Sequence, residues 1–185
     1  MIDKLLYDSN LDSVEVANGQ YRYALRRGAP LRFAIHPAVF CMLNPSTATA
    51  EIDDPTIRRL KGFAALWKRD SIVVINLYAS RTSSPKLLKY RFDPVGPDND
   101  QIIDRVARSC REIIVAWGAH ADEERAAEVA NAMWRCGVTL SCLGQNKDGS
   151  PKHPLYLSAD TKLRTYGFDK RTAAPAGPSV TEDHE

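Results

Sequence analysis

Four short apolar segments alternate with segments of helical periodicity, and this alternation constrains the fold more than any other feature of the sequence. The apolar segments are residues 38–43 (AVFCML), 71–77 (SIVVINL), 112–117 (EIIVAW) and 138–143 (VTLSCL). Continuous apolar runs of this length, bounded by Asn, Pro or Gly, are typical of strands that are buried on both faces. The pattern therefore predicts a largely parallel sheet.

Helical segments separate these predicted strands. Asp54 is a favoured N-cap residue and Pro55 fits the first helical turn, so the first helix is expected to begin there. Further helices are predicted at residues 98–109 and 121–136, and Gly137 is expected to close the last one. Such alternation predicts an α/β protein, a three-layer α/β/α sandwich around a four-stranded, mainly parallel central sheet.

The two ends of the chain have different patterns. Residues 20–27 and 31–35 are short extended segments on either side of Gly28-Ala29-Pro30, which predicts an N-terminal hairpin. Residues 1–170 are expected to form one domain. From residue 171 the composition of Ala, Pro, Gly, Ser, Thr and acidic residues predicts a flexible tail over residues 171–185.

Composition argues against several classes of protein. The chain has no apolar run of 18 residues and no long apolar stretch near its N-terminus. We therefore expect no membrane span, no secretory signal and a cytoplasmic location. The four cysteines are not clustered, which favours reduced thiols over zinc or iron–sulfur ligands. A net charge of +2 permits a nucleic-acid partner without requiring one, and the oligomeric state is left open.

Polar and aromatic residues follow each of the four predicted strands. Ligands of open parallel sheets bind beyond the carboxyl ends of the strands, so we expect these residues to converge on one site. The candidates are Asn44, Pro45 and Ser46 after the first strand, Asn76, Tyr78 and Arg81 around the end of the second, Trp117 at the end of the third, and Lys147, Lys152, His153, Leu155 and Tyr156 after the fourth.

Structural interpretations compete with functional ones at several of these positions. Asn44 also suits a turn, Trp117 suits a core, and His120 suits an exposed helix start. Asn76 interrupts an apolar run, where an unbonded amide costs roughly 1–3 kcal/mol, so it either caps a loop or binds a ligand. His153 lies in a polar loop, and histidine titrates near neutral pH.

Several well-known catalytic and cofactor motifs are missing. The chain has no Walker loop, no Gly-x-Gly-x-x-Gly fingerprint and no Gly-x-Ser-x-Gly elbow. Ser46 and Ser80 have no evident base partner in the sequence. We therefore expect no nucleotide cofactor and no metal, and a serine nucleophile is weakly supported.

Six motifs resemble, in order, a bacterial and phage family called domain of unknown function 1643. They are residues 42–47 (MLNPST), 53–56 (DDPT), 74–79 (VINLYA), 93–100 (DPVGPDND), 116–118 (AWG) and 151–157 (PKHPLYL). The resemblance covers roughly residues 40–157, and the label of that family carries no function.

The layout is also similar to the uracil-DNA glycosylase superfamily. Those enzymes have a Gly-x-Asp-Pro or Gly-x-Asn-Pro loop after the first strand, an Asn after the second, often Trp-Gly after the third, and His-Pro-Ser after the fourth. The matching positions here are Asn44-Pro45, Asn76, Trp117-Gly118 and His153-Pro154. This resemblance implies the fold of that superfamily and hydrolysis of a base from DNA.

The resemblance also implies roles. Asn44 would hold the attacking water, and Asn76 would read the polar edge of the base. His153 would stabilise charge on the departing base or on the oxocarbenium-like sugar. Extruding a base from a duplex costs a few kcal/mol, and stacking recovers about 1–3 kcal/mol per base. The further roles would be base and sugar contacts for Pro45, Ser46, Tyr78 and Trp117, a wedge into the stack for Leu155 or Tyr156, and phosphate contacts for Arg81, Lys147 and Lys152.

Three functions follow from these observations. The preferred one is a glycosylase-like hydrolase that acts on an ordinary or a modified base in DNA. The second is a nucleic-acid or nucleotide-binding module without catalysis, favoured by an Asn rather than an Asp at position 44. The third is a hydrolase of free nucleosides that uses the same cleft.

Overall fold

The computed structural model of the chain describes residues 13–29 and 36–167. Its strands are β1 (Ser13–Asn18), β2 (Tyr21–Gly28), β3 (Pro37–Met42), β4 (Ser71–Asn76), β5 (Glu112–Val115), β6 (Thr139–Cys142) and β7 (Arg164–Thr165). They form one mixed sheet in the order β1-β2-β4-β3-β5-β6-β7. The described part of the chain is therefore an α/β fold built on a seven-stranded sheet.

The four predicted strands are present as β3 to β6, and they run parallel to one another. The predicted number of strands is wrong, because β1 and β2 extend one side of the sheet and β7 the other, all through antiparallel pairs. These additional strands lie outside the strand–helix alternation. The two-residue β7 is also too short to produce a hydrophobic pattern.

The predicted hairpin has the wrong partner. β2 forms its hairpin with β1 across Gly19 and Gln20, and its other edge pairs with β4. Both edges of β2 are thus paired with strands other than the predicted one at residues 31–35. Residues 31–35 lie outside the described residues, and so does the predicted tail at 171–185.

The three predicted helices are confirmed as α1 (Pro55–Leu66), α2 (Asn99–Arg108) and α3 (Glu123–Arg135). α1 begins as expected, since the Asp54 carboxylate accepts a hydrogen bond of 2.8 Å from the Ile57 N–H. Gly137 follows the last turn of α3 with a φ of 81°, as its predicted closing role requires. None of the helices in the described ranges is long and apolar enough to cross a membrane.

The helices cover both faces of the sheet, as the expected three layers require. Alternate side chains of the central strands point to opposite faces. Ile72 and Val74 belong to the cluster that contains the apolar residues of α1. Val73 and Ile75 belong to the cluster that contains the apolar residues of α2 and α3. Asn76 follows Val74 by two residues and therefore lies on the α1 face, where its amide interrupts the apolar stripe.

The β2–β4 pairing becomes irregular at this point. Ala24 pairs with Ile75, but the next bridge joins Tyr21 to Ser80. The segment that continues from β4 therefore has two more residues between these bridges than β2 has. Asn99 of α2 donates hydrogen bonds of 3.1 Å to the carbonyl oxygens of Asn76 and Leu77. These bonds hold the irregular backbone that carries the Asn76 side chain.

Candidate functional site

A cavity of about 470 Å³ opens at the carboxyl ends of β3, β4 and β5, on the face of the sheet that α1 covers. This volume lies in the range of roughly 300–1,000 Å³ that is typical of small-molecule sites. Six of the predicted site residues line the cavity: Asn44, Ser46, Asn76, Trp117, His153 and Tyr156. Loops that are distant in sequence therefore meet at one site, as expected for a strand-end cleft.

The other predicted site residues lie outside this lining. Tyr78 lines a separate cavity, beside Leu88 and Lys89. Arg81 forms an ion pair of 2.6 Å with Glu15, so its guanidinium already has a carboxylate partner. Pro45 is buried, whereas Lys147, Lys152 and Leu155 are exposed on the loops after β6.

The Asn76 side chain is buried without hydrogen bonds. It is 1% exposed, and neither Nδ2 nor Oδ1 has a partner among the described residues. The amide therefore does not cap a loop, and its unmet bonds cost roughly 1–3 kcal/mol. An amide presents a donor and an acceptor side by side, which is the pattern that pairs with the polar edge of a nucleobase.

Asn44 has a fixed amide orientation. Its Nδ2 donates hydrogen bonds of 2.8 Å to the carbonyl oxygens of Pro45 and Thr82. Because both amide hydrogens are used, the network identifies which atom is nitrogen and leaves Oδ1 as an acceptor. The residue thus stabilises its own turn, as the structural interpretation expected, and still offers an oxygen that can hold a water molecule.

His153 is the N-cap of a 3₁₀ turn at Pro154–Tyr156, where its Nδ1 accepts a hydrogen bond of 3.3 Å from the Leu155 N–H. Burial lowers the pKa of His153, and the nearby Asp54 charge opposes that shift without reversing it. The ring is therefore neutral at pH 7 and carries its proton on Nε2. It can act as a hydrogen-bond donor in the cavity.

Two elements hold the loop that carries His153. The Gly118 N–H donates a hydrogen bond of 2.9 Å to the Pro151 carbonyl oxygen, with Gly118 at a φ of 76° that side chains rarely tolerate. On the other side, the Arg59 guanidinium donates to the Leu157 carbonyl oxygen and lies 4.8 Å from the centre of the Phe63 ring. The loop is thus tied to both β5 and α1.

Asp54 is a site residue that the sequence indicated only as a helix cap. It lines the cavity and is 8% exposed. One carboxylate oxygen accepts the Ile57 N–H, and the other makes no hydrogen bond within the described residues. A carboxylate is therefore present in the cavity although the loop at position 44 lacks one. The Asp53-Asp54-Pro55-Thr56 motif, used above only for the family resemblance, is the signal that could have identified this residue.

Arg22 was missed altogether. It also lines the cavity, and its side chain is buried at 2% exposure. Residues 20–27 were interpreted only as one strand of a hairpin, but β2 lies inside the sheet, between β1 and β4. His120 is exposed, as expected, and also lines the cavity. Within residues 13–29 and 36–167, no group of three His, Cys, Asp or Glu side chains is arranged to hold a metal ion.

Comparison with known proteins gives a family and no activity. A family model described as a protein of unknown function (DUF1643) matches residues 22–155, which is more than half of the chain. No curated protein and no solved structure matches the chain significantly. The matched range includes the strands and loops that form the cavity from Arg22 to His153.

Proposed function

This chain belongs to the DUF1643 family of proteins of unknown function, and we propose that it hydrolyses the bond between a base and its sugar in DNA. The observation that carries the proposal is the Asn76 amide, which is buried beside a cavity and has no hydrogen-bond partner within residues 13–29 and 36–167. A buried polar group normally has partners, so a ligand with a complementary edge is the simplest source of the missing bonds. Nucleobases present such an edge.

The other cavity residues supply groups that base removal requires. In this reaction the bond between C1′ of the sugar and a base nitrogen breaks, and its electron pair leaves with the base. A water oxygen then bonds to C1′. Asn44 Oδ1 can accept a hydrogen bond from that water, and the free oxygen of Asp54 can take its proton.

His153 is suited to the departing base. With Nδ1 engaged by the Leu155 N–H, the neutral ring presents Nε2–H as a donor. A hydrogen bond from this group would stabilise the negative charge that develops on the base as the bond breaks. The lowered pKa of His153 supports this role, because a neutral donor does not need to lose a charge at the end of the reaction.

The surroundings of the cavity support a polynucleotide substrate. Tyr156 lines the cavity and is 84% exposed, and the neighbouring Leu155 is also exposed, so either can enter the space that a flipped base leaves. Pro85 also lines the cavity and begins a 3₁₀ turn at Pro85–Tyr90. Exposed aromatic and basic residues that suit stacking on bases and phosphate contacts occur from there onward: Lys86, Lys89, Tyr90, Arg91 and Phe92.

The direct test is base release. Purified protein is incubated with single-stranded and duplex oligonucleotides that carry uracil, hypoxanthine or hypermodified bases, and abasic sites are detected by alkaline cleavage. We expect release from at least one substrate, and we expect Asn44→Ala and His153→Ala to abolish it. Lys68→Ala, on the exposed surface after α1, is the matched control and should retain activity. No release from any member of the panel would contradict the proposal.

A second candidate is hydrolysis of free nucleosides. The groups assigned to the base and to the water all lie within one cavity, so a free nucleoside would meet them without any strand outside. Free nucleosides and nucleotides therefore belong in the same panel. Release from them alone would favour this function, whereas binding without release would favour a module that has no catalysis.

A further inference from the structure

Arg22 is a buried cation with an incomplete set of partners. Its only hydrogen bond from the side chain within the described residues joins Nη1 to the Ala48 carbonyl oxygen at 2.5 Å. The Nε atom is buried and has no partner in the part of the chain that the structure describes, although the residue lines the cavity. A guanidinium normally uses its planar set of donors on carboxylates, phosphates or several carbonyls, so this one is underused.

Two neighbouring arginines, Arg27 and Arg81, do have carboxylate partners for their guanidinium groups. Arg27 lies on the same strand, donates to the Thr49 carbonyl oxygen, and forms an ion pair of 2.8 Å with Asp53. Arg81 has Glu15 as its partner. The carboxylates of Asp53 and Glu15 are therefore engaged by other arginines. Asp54 is near enough for its charge to act on Arg22, but within the described residues no carboxylate lies within ion-pair distance of Arg22.

Burial makes this arrangement of the Arg22 guanidinium unfavourable. Desolvation and the positive charge of Arg81 lower the pKa of Arg22 to about 10, and the charges of Glu15 and Asp54 offset only part of that shift. The side chain is still protonated at neutral pH. An uncompensated buried charge destabilises a fold strongly, so a counter-charge supplied from the cavity would relieve the cost.

We propose that Arg22 is an anion-binding residue of this cavity and that the ligand places a phosphate group against it. The inference rests on the proposed function and narrows its substrate to a nucleotide rather than an uncharged nucleoside. The phosphate can belong to a free mononucleotide or to a phosphodiester of a DNA strand, because a guanidinium recognises the same oxygens in both.

The position of Arg22 fits this role. Its backbone N–H donates a hydrogen bond of 2.9 Å to the Ala79 carbonyl oxygen, so it lies beside the irregular segment that begins at Asn76. Asn76, on β4, and Arg22, on β2, therefore lie on adjacent strands of the sheet and line one cavity. A base and the phosphate of the same or the next nucleotide can engage both.

The first test uses inorganic phosphate, so that it does not depend on the identity of the base. Thermal unfolding is followed for wild type, Arg22→Gln and Arg27→Gln with increasing phosphate, at constant ionic strength set by chloride. We expect phosphate to raise the unfolding temperature of wild type and Arg27→Gln but not of Arg22→Gln. No effect in wild type, or an equal loss in both variants, would overturn the proposal.

The second test separates the charge of the ligand from the fold of the variant. Dissociation constants are measured for deoxynucleosides, their 5′-monophosphates and single-stranded oligonucleotides with the same bases. In wild type the phosphate should tighten binding by about tenfold or more, and in Arg22→Gln this gain should disappear while nucleoside binding is retained. Equal weakening of nucleoside and nucleotide binding would assign Arg22 a structural role and overturn the proposal.

The two phosphate sources and the two proposals remain distinguishable. A gain from a mononucleotide identifies a terminal phosphate as the ligand, and a gain confined to oligonucleotides identifies a phosphodiester. If phosphate binding depends on Arg22 but no base is released, the proposed hydrolysis fails while the anion site stands. If bases are released and neither release nor phosphate binding depends on Arg22, the anion site fails while the proposed hydrolysis stands.

Discussion

The unbonded amide of Asn76 lowers the stability of the fold, and in the proposed function the same amide binds the base. Its side chain is buried on the apolar face that packs with α1, and neither amide atom is hydrogen bonded to any residue that the structure describes. A side chain that served only the fold would gain by being apolar at this position. Asn99 differs, since its Nδ2 donates to two backbone carbonyl oxygens, although its Oδ1 also has no partner within the described residues.

Replacing Asn76 with Leu should therefore stabilise the empty protein while removing base recognition. We expect the free energy of unfolding to rise by about 1–3 kcal/mol, the cost of the unmet bonds, and base release and nucleotide binding to disappear. Asn99→Leu should instead lose a similar amount of stability. Urea denaturation of both variants checks this, and a destabilised Asn76→Leu would mean that the amide has a structural partner after all.

His153 should link stability to pH. Its pKa in the folded protein is lowered from the ordinary value of 6.5, so the folded protein binds this proton less readily than the unfolded chain does. The associated stability is present above pH 6.5 and is lost as the pH falls through the folded pKa. Asparagine at position 153 can still accept the Leu155 N–H and does not titrate.

The stability of wild type should consequently fall more steeply below pH 6.5 than that of His153→Asn. Chemical denaturation at a series of pH values on either side of 6.5 measures the difference between the two proteins. Parallel pH profiles would show that the histidine does not titrate at a lowered pKa, and the assigned neutral tautomer would lose its support.

Asp54, the N-cap residue of α1, has a structural role and, in the proposed reaction, a chemical one. Asp54 caps the helix with one carboxylate oxygen and lines the cavity. Serine caps helices about as well as aspartate but has no carboxylate, so Asp54→Ser separates the two tasks. Alanine removes both.

Asp54→Ser should keep the stability of wild type within a few tenths of a kcal/mol, whereas Asp54→Ala should lose about 1 kcal/mol. Both variants should release bases about 10²- to 10⁴-fold more slowly if this carboxylate takes the proton from water. Stability comes from urea denaturation and rates from single-turnover base release. Wild-type rates in Asp54→Ser would limit Asp54 to capping.

The helices and central strands could be predicted because each has a local signal. Asp54 before Pro55, Gly137 after a periodic segment, and apolar runs of strand length all act through neighbours in sequence. The partner of β2 and the burial of Arg22 could not be predicted, because they depend on which strands lie on either side. Asn76 and His153 were identifiable because each departs from its local pattern.

The whole sheet is the unit that builds the cavity. Its parallel centre delivers Asn44, Asn76 and Trp117, and antiparallel β2 adds Arg22. Since one sheet connects these elements, we propose that residues 1–170 unfold as one domain. Far-ultraviolet circular dichroism and fluorescence of the three tryptophans should report coincident denaturation curves. Separate transitions would instead indicate two independent units.

The central claim is that a nucleobase occupies the cavity against Asn76. Side-chain amide signals of ¹⁵N-labelled Asn44→Ala protein can be followed while oligonucleotides of the base-release panel are added, with Asn76→Leu identifying the Asn76 signal. At least one base should shift this signal, and the same strand with an abasic analogue should leave it in place. Strand binding that never moves the Asn76 signal, or moves it equally with the abasic strand, would contradict the account.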